Sequence, residues 1–113
     1  MTIRQRQVGD VVVLDIDGKI VGGVDHDLFQ EKIRALLTAG KHNVLVNLEN
    51  VKWVNSTGLG VLIAGFRTVQ TGGGRLKLLH VSERIHSLLT ITRLSTKFEM
   101  FESEDEATAS FAK

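Results

Sequence analysis

The 113-residue sequence contains no cysteine and no proline. Lack of cysteine removes disulfides, thiolate nucleophiles and cysteine metal sites together, and fits a reducing compartment. Without proline, and without any Gly/Ser-rich or single-charge tract, the chain has no recognisable linker or low-complexity segment. Aromatic residues make up 5% of the chain and the basic residues are scattered rather than clustered with them, which argues against a stacking platform for single-stranded nucleic acid. Neither sign of charge dominates: 14 Lys and Arg against 13 Asp and Glu leave a formal charge of +1, too little to draw in phosphate backbones. The longest strongly apolar runs, 11–14 and 58–66, fall far short of the roughly 20 residues that cross a bilayer. Met1-Thr2-Ile3-Arg4 lacks the apolar stretch of a signal peptide. The expectation is a soluble, cytoplasmic protein with no membrane partner and no direct nucleic-acid partner.

What is present suffices for one core. With 42% hydrophobic residues, a chain of this length is stable without staples and is expected to form a single domain over 1–113. Gly9-Asp10 suits a tight hairpin turn between the two opening strands. Setting Val8 opposite Val11 places Ile3 opposite Ile16 and Gln7 opposite Val12 on a drier face, and Arg4 opposite Asp15 on a charged one. Residues 19–24, with Gly22-Gly23, read as a loop, and Asp25 as the cap of a helix carrying Phe29, Ile33, Leu36 and Leu37 at i, i+4, i+7 and i+8. Gly40 ends that helix, and 44–48 forms a short buried strand. A second helix starts at Asn55 or Ser56 with an apolar stripe of Leu59, Leu62, Ile63, Phe66 and Val69, and Gly72-Gly73-Gly74 stops it. A strand over 75–81, a helix capped by Ser82, a short strand over 98–101 and a helix opened by the Ser103-x-x-Glu106 capping box complete the chain. The order β-β-α-β-α-β-α-β-α predicts an α/β fold whose mixed, mostly parallel sheet has only its first strand antiparallel.

Few side chains assemble into chemistry. Asp15 and Asp17 share a strand face, as paired carboxylates for acid/base work do, but Arg4 across the hairpin makes an exposed ion pair the simpler expectation. His80, Glu83 and His86 match no zinc spacing, and His26 and His42 have no evident partners. Gly58-x-Gly60 lacks the third glycine of a dinucleotide fingerprint, and Gly74-Arg75-Leu76-Lys77 lacks the end of a P-loop. No catalytic residue, metal or cofactor is therefore expected. Ser56 stands apart, because it opens a helix at an exposed corner. The ordinary role of such a serine is an N-cap. A phosphate on it would nonetheless meet free backbone N–H groups and the positive end of the helix dipole, adding about −1.5 to −2 charges at one surface spot without unfolding the domain. Its flanks, Val54-Asn55 and Thr57-Gly58, are not those of a hydrolase nucleophile elbow.

Val46-Asn47-Leu48, Asn55-Ser56-Thr57-Gly58-Leu59-Gly60 and the run from Gly72 through Leu78 together resemble a STAS domain, and more closely the bacterial anti-sigma factor antagonists. The resemblance covers nearly the whole chain, including Gly18-Lys19-Ile20 and residues 98–111. It implies a mixed sheet with packed helices, and a serine at this corner that is phosphorylated by an anti-sigma factor with serine kinase activity. The unmodified form binds the kinase and frees a sigma factor, the phosphorylated form lets go, and a phosphatase resets it. Carried onto this chain, Ser56 is the phosphoacceptor, and Ile20, Val21, Asn55, Thr57, Gly58 and Leu59 lie on or near the partner face. Where the family commonly has an acid, this sequence has Val21, Asn47 and Asn55, which removes charge expected near that surface. The same resemblance admits a constitutive scaffold, either a stressosome subunit or the accessory subunit of a lipid-transport ATPase. An uncovered sheet edge also offers a route to a weak homodimer.

Overall fold

Gly9 adopts a φ of 57° in the computed structural model and turns the chain back on itself. Strands β1 (Thr2–Val8) and β2 (Val11–Ile20) thereby pair antiparallel with Val8 opposite Val11, Ile3 opposite Ile16 and Arg4 opposite Asp15, the expected register. The structure describes residues 1–94 and 96–112; Ser95 and Lys113, which the expected 1–113 domain includes, lie outside the described residues. Helix α1 (Val24–Thr38), β3 (Asn43–Val54), α2 (Ser56–Thr71), β4 (Arg75–Leu79), α3 (Glu83–Ile91), β5 (Met100–Phe101) and α4 (Glu104–Ser110) follow. The sheet order is β1-β2-β3-β4-β5, with every pair after the first parallel. The α/β class and the element order agree with the sequence expectation.

Alternation along the strands divides the core in two. Val12, Leu14, Ile16, Val44, Val46 and Leu78 face one way, onto Phe29 and Ile33 of α1, Leu59 and Leu62 of α2, and Ile85 and Leu89 of α3. Val11, Val13, Leu45 and Leu79 face the other way, onto Ala107 and Phe111. The face expected to be charged is thus partly apolar, because α4 covers it; its ion pairs include Arg4 with Asp17, Arg6 with Asp15 and Glu104, and Lys77 with Glu99.

Element ends differ in instructive ways. Lys19 and Ile20 belong to β2 rather than to a loop, and β3 runs to Val54 rather than stopping at 48. Register shifts after Asp15 and after Gly18 allow the two long strands to stay paired, while Leu48, Val51 and Val54 remain buried. β4 stops at Leu79, just before His80 at a φ of 55°, and β5 is only Met100–Phe101, both shorter than expected. Asp25 does not cap α1. Gly23 holds the N-cap position, and Asp25, inside the first turn, accepts the Val21 backbone N–H at 2.9 Å.

Candidate functional site

β2 and β3 outrun their neighbour: Asn47 pairs with Leu79 at the end of β4, whereas Ile20 and Val54 pair with each other seven residues further along β3. The resulting two-stranded ribbon ends where the chain turns into α2. At that turn Asn55 is extended (φ −100°, ψ −178°) and its Oδ1 accepts the Gly58 N–H at 2.7 Å. Asn55 is therefore the N-cap, one of the two candidates the sequence offered. Ser56, the first helical residue, is exposed. Among the described residues none hydrogen-bonds the Ser56 hydroxyl.

Two glycines clamp this turn onto β2. A Cβ on Gly58 would lie 1.7 Å from the Ile20 carbonyl oxygen, so only glycine allows the helix to sit this close to the strand end. A Cβ on Gly22, whose φ is +98°, would lie 2.3 Å from Thr57 Cγ2. The chain from Ile20 to Gly22 is thus pressed against the first turn of α2. Val21 and Thr57 are exposed and Asn55 half-buried beside Ser56. Ile20, Gly58 and Leu59 are buried and shape this surface from beneath.

Sequence reasoning missed the cationic and aromatic flank of the corner. Trp53 is 42% exposed, and the Arg84 guanidinium lies 3.8 Å from its ring centroid while Nε donates to the Val54 carbonyl at 3.3 Å. Arg84 comes from α3, and 30 residues separate it from Val54, so no local pattern reveals the pair. Val24 and Leu28, on α1 beyond Val21, are also exposed.

The other candidates lie elsewhere. Asp15 accepts from Arg6 at 2.7 Å and from Asn47 Nδ2 at 2.8 Å, and Arg6 also holds Glu104 at 2.9 Å. Burial alone would raise the Asp15 carboxyl, but the Arg6 and Asn47 hydrogen bonds outweigh it and hold that group below its ordinary value. Arg6 lowers Glu104 likewise, against a smaller opposing effect of burial. These carboxylates tie α4 to the sheet. Arg4 pairs with Asp17 at 3.4 Å, diagonal to its register partner. Asn47 belongs to this network and not to the corner, so its lack of an acid removes no charge from the surface around Ser56. His80 Nε2 is 3.5 Å from Glu49, and among the described residues no three His, Asp or Glu side chains converge as metal ligands. Among the described residues no helix is long and apolar enough to cross a membrane.

Comparison with known proteins bears on this arrangement. A family model described as the STAS domain matches residues 2–107. An anti-sigma-B factor antagonist from Bacillus subtilis is 37% identical over 83 residues, spanning 71% of this chain and 75% of that protein. One from Staphylococcus aureus is 35% identical over 65 residues, spanning 58% of this chain and 60% of that protein. In fold, the chain is similar to an anti-sigma factor antagonist from Mycobacterium paratuberculosis, with a TM-score of 0.82 at 19% identity over 99% of this chain and 94% of that one. It is similar as well to the unphosphorylated form of the anti-sigma factor antagonist SpoIIAA, with a TM-score of 0.73 at 18% identity over 96% of each chain.

Proposed function

The chain belongs to the STAS domain family, and from that premise we propose that it is an anti-sigma factor antagonist: a binding protein, not an enzyme, switched off by phosphorylation at Ser56. The observation that carries this reading is the division of labour at the corner. Asn55 takes the capping role that would otherwise explain a serine there, and leaves the Ser56 hydroxyl exposed and unbonded among the described residues. The relatives named as anti-sigma-B factor antagonists support the same conclusion.

The unmodified corner presents Val21, Asn55, Ser56 and Thr57 to an anti-sigma factor that is also a serine kinase, releasing a sigma factor and so regulating transcription. No acidic residue occupies the first turn of α2, whereas the first turns of α1, α3 and α4 all hold one or more. A phosphate on Ser56 therefore meets the positive helix end without a carboxylate in the same turn to repel it. Its charge, about −1.5 to −2, disrupts the partner contact by repulsion and desolvation while the fold persists. A phosphatase restores the binding form. The setting is cytoplasmic, and no cofactor is required. Self-association through the β1 edge is at most weak, because that strand carries the polar run Arg4-Gln5-Arg6-Gln7.

Incubation with ATP and the kinase fraction of host cells, followed by peptide mapping by mass spectrometry, tests the assignment. One phosphate is expected on Ser56, and none, on any residue, in Ser56→Ala. Modification at Thr57 or elsewhere in the native protein would remove Ser56 from the switch.

A further inference from the structure

Two features of the corner remain unexplained by a bare serine switch: the exposed Trp53 and the arginine laid across it. Arg84 has one hydrogen bond, from Nε to the Val54 carbonyl, and among the described residues no carboxylate pairs with it. An arginine has five N–H donors, so the outer edge of this guanidinium is open to an anion. Stacking on the indole holds its plane in place meanwhile.

Helix geometry puts Ser56 on the same side. Ser56 lies seven residues before Ile63, two helical turns, so the two share a face of α2. Ile63 lines a surface depression with Phe66, Leu94 and Phe98, and Leu94 and Phe98 follow α3 in the chain. That face of α2 is therefore the one turned toward the segment that leaves α3, and Arg84 is the second residue of α3. Along the chain, Ser56 is only two residues from the carbonyl that Arg84 already reaches, a span of at most roughly 7 Å.

Resting on the reading of Ser56 as the phosphoacceptor, we propose that Arg84 is the internal receiver of the phosphate: when Ser56 is modified, the guanidinium leaves the Trp53 ring and the Val54 carbonyl and pairs with the phosphate. A guanidinium fork matches phosphate oxygens and makes short, charge-assisted hydrogen bonds. The modification then alters two patches at once. It places a compensated dianion on Ser56 and strips the cation from an exposed indole, the residue type most enriched at binding hot spots. Arg84 is a positioning residue of the switch and touches no substrate.

Trp53 is the sole tryptophan and there is no tyrosine, so its fluorescence reports this event without a label. Phosphoserine is installed at position 56 during synthesis, in the full chain and in Arg84→Gln, with the unmodified proteins as references. Phosphorus NMR is expected to show the phosphate titrating about one unit lower in the native background than in Arg84→Gln. Acrylamide quenching of Trp53 is expected to rise on modification of the native protein, and to be already raised, and insensitive to modification, in Arg84→Gln. Arg84→Lys, which keeps the charge without the fork, should restore part of the titration shift. Equal phosphate titration in native and Arg84→Gln proteins, or unchanged quenching on modification, would overturn the proposal. Because the phosphate is installed without a kinase, a failure of host kinases to modify Ser56 would defeat the functional reading and leave this result standing.

Discussion

Gly58 and Gly60 sit two residues apart in the first turns of α2 and are expected to respond oppositely to the same change. Alanine at Gly58 drives a methyl group into the Ile20 carbonyl, a backbone atom that cannot swing aside. Gly58→Ala should therefore lose about 2 kcal/mol or more. At Gly60 a Cβ meets nothing within 4 Å, so Gly60→Ala should gain up to about 1 kcal/mol from helix propensity. Urea unfolding of the two variants checks both signs, and equal effects would show that the close approach of helix and strand is misjudged. At this scale the sequence was informative wherever a residue acts on its near neighbours. Ser82 accepts from the Ile85 N–H and Ser103 from the Glu106 N–H, both as their spacing predicts. Asn55 and Ser56 are both capping types, and only the extended backbone of Asn55 decides between them. Asp25 misled because Gly23, with a φ of 59°, can enter the helix unaided.

At the scale of elements, α4 is held by ions as well as by Ala107 and Phe111. Arg6 links Asp15 on β2 to Glu104 at the start of α4, and Lys77, buried between Glu99 and Ser110, lies 4.6 Å from the Phe111 ring centroid. Asp15 and Glu104 are both held below their ordinary values, so in acid the unfolded chain binds more protons than the folded one. Their stabilisation is complete above the unfolded carboxylate values near 4 and is lost as pH falls through the lower folded values. Arg6→Gln is accordingly expected to be less stable than the parent at neutral pH, with the gap closing between about pH 5 and pH 2. Thermal melts across that range provide the check, and a gap independent of pH would contradict it. The same helix explains where strand reading faltered. Leu79 breaks the alternation of Leu76 and Leu78 because α4 makes the second sheet face a small core of its own. β3 was legible only over 44–48, which is apolar at four of its five positions. Beyond 48 its exposed Glu49, Asn50, Lys52 and Trp53 interrupt the pattern, and pairing with β2 alone extends it.

For the whole molecule, the parallel α/β alternation fixes the sheet order, and one end of the sheet gathers what the proposed switch needs. The ribbon of β2 and β3 brings Gly22 to Thr57, α2 offers Ser56, and α3 sends Arg84 over Trp53. Ser56 and its sequence neighbours were visible as a motif because they are contiguous. Trp53 and Arg84 were not visible as a pair, since only the fold joins residues so far apart in the chain. The proposed switch rests on a surface serine, Ser56, whose charge would decide whether a partner binds. Its most direct test is a pull-down from host lysate with three baits, the native protein, Ser56→Ala and Ser56→Asp, and identification of the bound proteins by mass spectrometry. The native and Ser56→Ala baits are expected to recover an anti-sigma factor with a serine kinase domain, and Ser56→Asp to lose it. Equal recovery of the same partners by all three, whether other STAS proteins or a transport ATPase, would make this chain a constitutive scaffold and contradict the switch.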